Sequence, residues 1–135
     1  MIRRSGTALN AGRVAEDEVQ SGGWDAWQMP IANCFIDSPP EDPEGLVRAW
    51  SDRSGIAADE MTVNLVHMRQ GGKRYAVMAW LYLPSLWSDE DVVTLSEGLA
   101  LALAEVLHVE LSGVQVLTSV VTSGSVVEAG ETLRW

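Results

Sequence analysis

Apolar and polar positions along the chain fall into two runs of the same kind, each reading strand, helix, strand. Ile31-Ala32-Asn33-Cys34-Phe35-Ile36 predicts a buried strand, and Asp37-Ser38-Pro39-Pro40 ends it. A short helix follows, with Asp42 as N-cap and Pro43 at the first helical position. Leu46, Val47 and Trp50 form its apolar stripe, and Gly55 with Ile56 predicts a left-handed, Schellman-type end. The second strand runs from Thr62 to Met68, and Gln70-Gly71-Gly72 is a turn. The third, Tyr75 to Leu83, is apolar at every other position on both faces and predicts a central strand covered on both sides. Pro84 ends it. Ser88 caps the longest helix, Asp91 takes its third helical position, and Asp89 and Glu90 favour its positive end. Val92, Leu95, Leu99, Ala102, Leu103, Val106 and Leu107 make a wide stripe at helical spacing. His108, near its C-terminal end, reads as a favourable end charge. A fourth strand covers Val114 to Val121, and after Ser123-Gly124-Ser125 the tail from Val126 to Trp135 is hairpin-like.

The two runs match in register. A shift of 45 residues carries Pro39 onto Pro84, Phe35 onto Trp80, Ile36 onto Leu81 and Pro30 onto Tyr75. Later in each half, Met61 to Leu65 matches Ser112 to Val116. Each β-α-β unit predicts a right-handed crossover with parallel strands. The expected fold is therefore α+β: a tandem β-α-β repeat, with a four-stranded mixed sheet and two helices on one face. The opposite face then needs a cover, which a symmetric oligomer supplies. A ferredoxin-like βαββαβ fold has the same order of elements, and periodicity does not separate the two.

Composition narrows the setting. The 135 residues are 47% hydrophobic and 21% charged, one domain's worth of chain. No apolar run reaches the roughly 18 residues of a membrane span. Residues 1–28 have no sustained period and no apolar core of a secretory signal, and they read as a flexible or loosely docked extension that Trp24 and Trp27 are able to anchor. The domain is expected over 29–135, in units of about 30–72 and 73–135. The single Cys34 sits in an apolar run and reads as a buried, inert thiol, and the whole points to the cytoplasm. A net charge of −10 and a pI near 4.4 argue against nucleic acid as a partner. From Pro30 onward the basic residues are Arg48, Arg53, Arg69, Lys73, Arg74 and Arg134, so positions 69–74 hold a concentrated cationic patch. The two histidines and the cysteine show no metal-ligand spacing, and no glycine-rich loop leads into a helix, so neither metal nor cofactor is expected.

Met29-Pro30 before an apolar strand, the tandem β-α-β unit, the helix entry Leu83-Pro84-Ser85-Leu86-Trp87-Ser88-Asp89-Glu90 and the glycine-containing tail together resemble the tautomerase superfamily over residues 29–135. The resemblance implies a homo-oligomer, commonly a trimer, and catalysis by an amino-terminal proline, here Pro30. In the sequence as it stands, 29 residues precede Pro30 and its nitrogen is an amide. If translation starts at Met29 and that residue is removed, Pro30 gains a free secondary amine. Such an amine takes a proton beside a carbonyl and returns it to another carbon, a keto–enol tautomerisation. In related members the same proline activates water or forms an imine, so hydratase and decarboxylase chemistry stand beside isomerisation.

The resemblance also implies a small 2-oxo or enol carboxylic acid as substrate. Arg69, Lys73 and Arg74 are candidates for its carboxylate, and a solvated turn is the competing reading. His67 shares a strand face with Arg69 and is either a substrate-orienting group or a satisfied residue at the sheet edge. Tyr75, the counterpart of Pro30, either donates to an enolate oxygen or packs. Trp80 and Tyr82 read as packing residues, and Trp135 as closing a neighbour's pocket or ending in solvent. Three functions follow: the isomerase; a non-catalytic, oligomeric binding protein of the same fold with a blocked proline; or a ferredoxin-like regulatory or cyclase-type domain.

Overall fold

The computed structural model describes residues 30–135. The extension over 1–28, its Trp24 and Trp27, and Met29 lie outside the described residues.

The order is β1 (Ile31–Ile36), α1 (Glu44–Ser54), β2 (Thr62–His67), β3 (Val77–Pro84), α2 (Asp89–Leu107), β4 (Val114–Val121) and a terminal hairpin of β5 (Val126–Glu128) and β6 (Glu131–Leu133). The four long strands form one sheet in the order β2-β1-β3-β4. Within each half the strands are parallel, and the halves meet through antiparallel β1 and β3. Direct pairing of β1 with β2 excludes the ferredoxin-like arrangement, in which those strands are not neighbours.

Local chemistry explains the helix boundaries. Pro43 has helical angles (φ −73°, ψ −13°), and Asp42 Oδ1 accepts the Glu44 N–H at 2.9 Å, so the cap satisfies an otherwise free donor. Gly55 is left-handed at φ 79° and donates to Ser51 O at 2.9 Å. The Ile56 N–H turns to Ser54 Oγ, so the end is the simpler αL type and not a Schellman motif. Ser88 Oγ accepts the Asp91 N–H at 3.1 Å. His108 closes α2 in the left-handed region at φ 56°, which histidine enters more readily than most residues.

Two strand ends differ from the hydrophobic pattern. β2 stops at His67, and β3 starts at Val77 rather than Tyr75. The cause at Tyr75 is a side chain. Gln70 Nε2 donates to Tyr75 O at 2.7 Å and Gln70 Oε1 accepts the Tyr75 N–H at 2.9 Å, so both backbone groups of Tyr75 are satisfied outside the ladder.

The core lies between one sheet face and the two helices. Ala32, Cys34 and Ile36 of β1 and Val77, Ala79, Leu81 and Leu83 of β3 are buried against Leu46 and Trp50 of α1 and Leu95, Leu99 and Leu103 of α2. Trp50 is fully buried, and its indole N–H donates to Leu95 O at 3.0 Å, tying one helix to the other. Removing so large a core side chain costs on the order of 3–5 kcal/mol.

Cys34 pairs directly with Ala79 across the antiparallel junction, and these two residues are 45 positions apart, the shift that relates the halves. A local two-fold axis therefore passes through that pair. The pair Ala32↔Val63 is carried onto Val77↔Val114, so the second strands follow the same symmetry. The axis exchanges the two ends of the sheet and places Pro30 and Tyr75 at opposite ends.

The other sheet face is not covered by any described residue of the chain, although the pattern of β3 predicts a strand covered on both sides. Phe35 and Trp80 stack there with ring centroids 4.8 Å apart and planes at 59°, and Asn64 Nδ2 donates to Asn33 Oδ1 at 2.8 Å. Trp80 stays 44% exposed, so it packs on one side only.

Burial pushes the Cys34 thiol up from 9.0 to about 12. A thiol whose pKa is higher folded than unfolded stabilises the fold fully below about pH 9, and that contribution is lost as pH rises toward 12. Chemical denaturation between pH 8 and pH 11 is expected to show the native chain losing stability faster with pH than Cys34→Ala. Equal slopes would show that Cys34 ionises as freely folded as unfolded.

Candidate functional site

Pro30 leads directly into β1. Its side chain is fully buried, and its carbonyl accepts the Thr62 N–H at 3.0 Å, which starts the β1–β2 pairing. At this end of the sheet the structure leaves a small apolar recess of about 60 Å³ between Ile31, Tyr82, Pro84 and Val121, with the terminal hairpin against it. Leu133 and Trp135 line the recess. Trp135 is fixed by two bonds, its indole N–H to Ser85 Oγ at 2.9 Å and its backbone N–H to Ser123 Oγ at 2.7 Å. It is half-buried against its own chain and not free in solvent. The chain enters the hairpin through Gly124, at φ 91°, a left-handed conformation that favours glycine.

The opposite end is polar. Arg69, Lys73 and Arg74 are exposed on the β2–β3 connection, and His67 is exposed at the end of β2, paired in register with Ile36. Arg74 borders a cavity of about 400 Å³ together with Asp37, Ser38, Gln70 and Tyr75, while Leu107 and Val109 from the end of α2 supply apolar wall. The Tyr75 hydroxyl accepts from Gln115 Nε2 at 3.3 Å, and Lys73 Nζ stands 5.3 Å from the centre of its ring. Among the described residues Arg53 and Glu105 form an ion pair at 2.9 Å, whereas Arg69 and Arg74 have no ion-pair or hydrogen-bond partner.

The expected site residues thus divide into two places. Arg74 and Tyr75 share the cavity, and Arg69, Lys73 and His67 stand on the same edge. Pro30 does not join them. Ile31 pairs with Tyr82 at one end of β1 and Ile36 with Val77 at the other, a separation of roughly 17 Å at 3.3 Å per residue. Within one protomer the proline and the cations are on opposite ends of the sheet. Asp37, Ser38, Leu107 and Val109 were not singled out by motif. The signal that finds them is the comparison of the halves, because the 45-residue shift sets Asp37-Ser38 against Tyr82-Leu83. Among the described residues no group of three or more His, Cys, Asp or Glu is able to hold a metal ion.

Gln70 is the organiser of the cationic edge, since its amide replaces a strand partner for Tyr75 on both backbone groups. Gln70→Ala is expected to lower stability by about 1–3 kcal/mol and to speed hydrogen exchange at the Tyr75 amide. Unchanged exchange at Tyr75 would show that the clamp does not order the turn in solution.

No family model matches the chain, and no curated protein matches it. Solved structures do. A fused 4-OT, solved as a wild-type asymmetric trimer, is 20% identical over 76% of this chain and 94% of its own, with a TM-score of 0.63. Leishmania major MIF2 is 9% identical over 78% and 98%, with a TM-score of 0.62. N1, a member of the cis-3-chloroacrylic acid dehalogenase family, is 16% identical over 76% and 82%, with a TM-score of 0.56. All three are tautomerase superfamily structures. With its paired β-α-β units, its β2-β1-β3-β4 sheet and both helices on one face, this chain has the tautomerase superfamily fold.

Proposed function

We propose that the protein is a tautomerase-type isomerase of a small 2-oxo or enol carboxylic acid, with Pro30 as its base after maturation at that residue. The observation that carries the reading is the position of Pro30, the residue immediately before the first strand of a tautomerase fold. Residues 29–135 then make up the domain and 1–28 an extension; the amine arises when the chain lacks that extension and Met29 is removed as well. A free α-amine titrates near about 7.7–8.0. The apolar surroundings of Pro30 disfavour its protonated form and move it downward, toward working pH. In ketonisation it takes the proton of the enol hydroxyl and delivers it to the neighbouring carbon as the carbonyl forms.

The carboxylate falls to Arg69, Lys73 and Arg74, with Tyr75 and His67 on the same edge. Since these stand far from Pro30 in one protomer, the complete site lies between protomers of a homotrimer. The trimeric fused 4-OT supports that assembly, and so does the open sheet face around Trp80. A second reading is favoured by one specific observation: in the full sequence Pro30 is acylated and fully buried. In that form the protein is a non-catalytic, oligomeric carboxylate binder.

Intact mass of the natively expressed protein separates the two. The isomerase predicts a chain beginning at Pro30, a trimer by sedimentation, and ketonisation of a 2-oxo acid enol that falls at least about 100-fold in Pro30→Ala. The reaction is also expected to rise with pH through a pKa below about 8, because only the unprotonated amine is a base. A native mass of the full 135-residue chain without turnover would replace the isomerase by the binding protein.

A further inference from the structure

We infer that the cavity beside Arg74 is a binding site, complete within one chain, for a small monocarboxylate with an apolar body. It shares Arg74 with the function proposed above but requires neither a free Pro30 amine nor a neighbouring protomer.

Size is the first argument. The cavity of about 400 Å³ falls inside the range of small-molecule sites, while its symmetry counterpart at the Pro30 end holds about 60 Å³. The difference has a cause in sequence. The two-fold axis carries Asp37 onto Tyr82 and Ser38 onto Leu83, so two large side chains stand where this end has two short polar ones. The terminal hairpin with Trp135 then closes the Pro30 end, and no segment of the described chain does the same beside Arg74.

Charge is the second. Arg74 brings a planar fork of donors with no partner among the described residues, and a carboxylate is the group that fork fits. Arg69 and Lys73 lie on the same turn, so this edge is cationic on a chain of net charge −10. Asp37 is the one acidic residue in the lining. It disfavours a second carboxylate on the ligand, which selects monocarboxylates over diacids. Ile36, Leu107 and Val109 provide the apolar wall for the ligand's body.

Preorganisation is the third. The Gln70 amide locks the backbone of Tyr75 next to Arg74. Pairing of Ile36 with Val77 holds the facing walls in register. The backbone around the site is thus ordered before a ligand enters, which leaves the Arg74 side chain as the main group a ligand has to order.

The test uses the full 135-residue chain, in which Pro30 carries no amine, and 3-phenylpropanoate as probe. Titration followed by amide NMR at low salt is expected to saturate at one probe per chain, with shifts centred on Ser38, Gln70 and Leu107. Arg74→Gln is expected to weaken binding at least about tenfold, Arg74→Lys less, and Arg48→Gln not at all. The neutral 3-phenylpropanamide and the diacid phenylsuccinate are each expected to bind at least about tenfold more weakly than the probe. All these residues are exposed, so the variants fold, and the amide spectrum of each verifies it. No saturation up to about 10 mM, equal loss in Arg74→Gln and Arg48→Gln, or shifts centred on the Pro30 end would each overturn the assignment. Binding by this acylated chain leaves the Pro30 chemistry to be judged by the mass and turnover measurements alone.

Discussion

The antiparallel pairing of β1 with β3 is the constraint on which the rest of the structure depends. It is the junction between the two halves, and its register sets Cys34 against Ala79, equivalent positions of the repeat. From that single choice the sheet order, the common helix face and the exchange of sheet ends all follow. The helix layer obeys the same symmetry, because Trp50, which donates to Leu95 O, is also 45 residues from its partner. Small side chains at the centre of the sheet, Ala32, Cys34 and Ala79, leave room for the tryptophan and the leucines of both helices to meet over the axis.

Equivalent ends need not be chemically equal, and here they are not. One end buries a proline and is closed by a tryptophan-bearing hairpin. The other exposes arginines beside a cavity and has its backbone braced by a glutamine side chain. The helices add to the inequality, since α2 has 19 residues and α1 has 11, so that Leu107 and Val109 reach the cavity wall. The two ends therefore differ in what they are able to bind, and the strand framework serves mainly to hold those differing groups at fixed distances.

Much of this was legible in the sequence. Apolar alternation and the Pro39–Pro84 match revealed both β-α-β units, because burial on one face imposes a period that side chains cannot hide. The caps at Asp42 and Ser88 were legible for a similar local reason. Strand order was not, since βαββαβ describes two topologies and only long-range pairing distinguishes them. The start of β3 was misplaced by two residues because the Gln70 amide competes with the ladder for Tyr75, an interaction that no apolar pattern records. Nor did the pattern show that Pro30 and the cations sit apart. Pro30 precedes β1 whereas the cations follow β2, and because those two strands run parallel the entry to one and the exit from the other lie at opposite ends of the sheet.

Cys34 and Ala79 fill one space from two strands, so their combined volume, more than either identity, is what the core specifies. At this point the two halves of the chain cannot drift independently. A methylene gained in one has to be given up by the other, as in a single residue divided between two sites. Pro30 and Tyr75, away from the axis at opposite ends of the sheet, are under no such bond, and each half is free to change there without asking the other. A fold built about such an axis thus couples the packing at its middle and leaves its two ends uncoupled, so that the chemistry of one end is set without repacking the other.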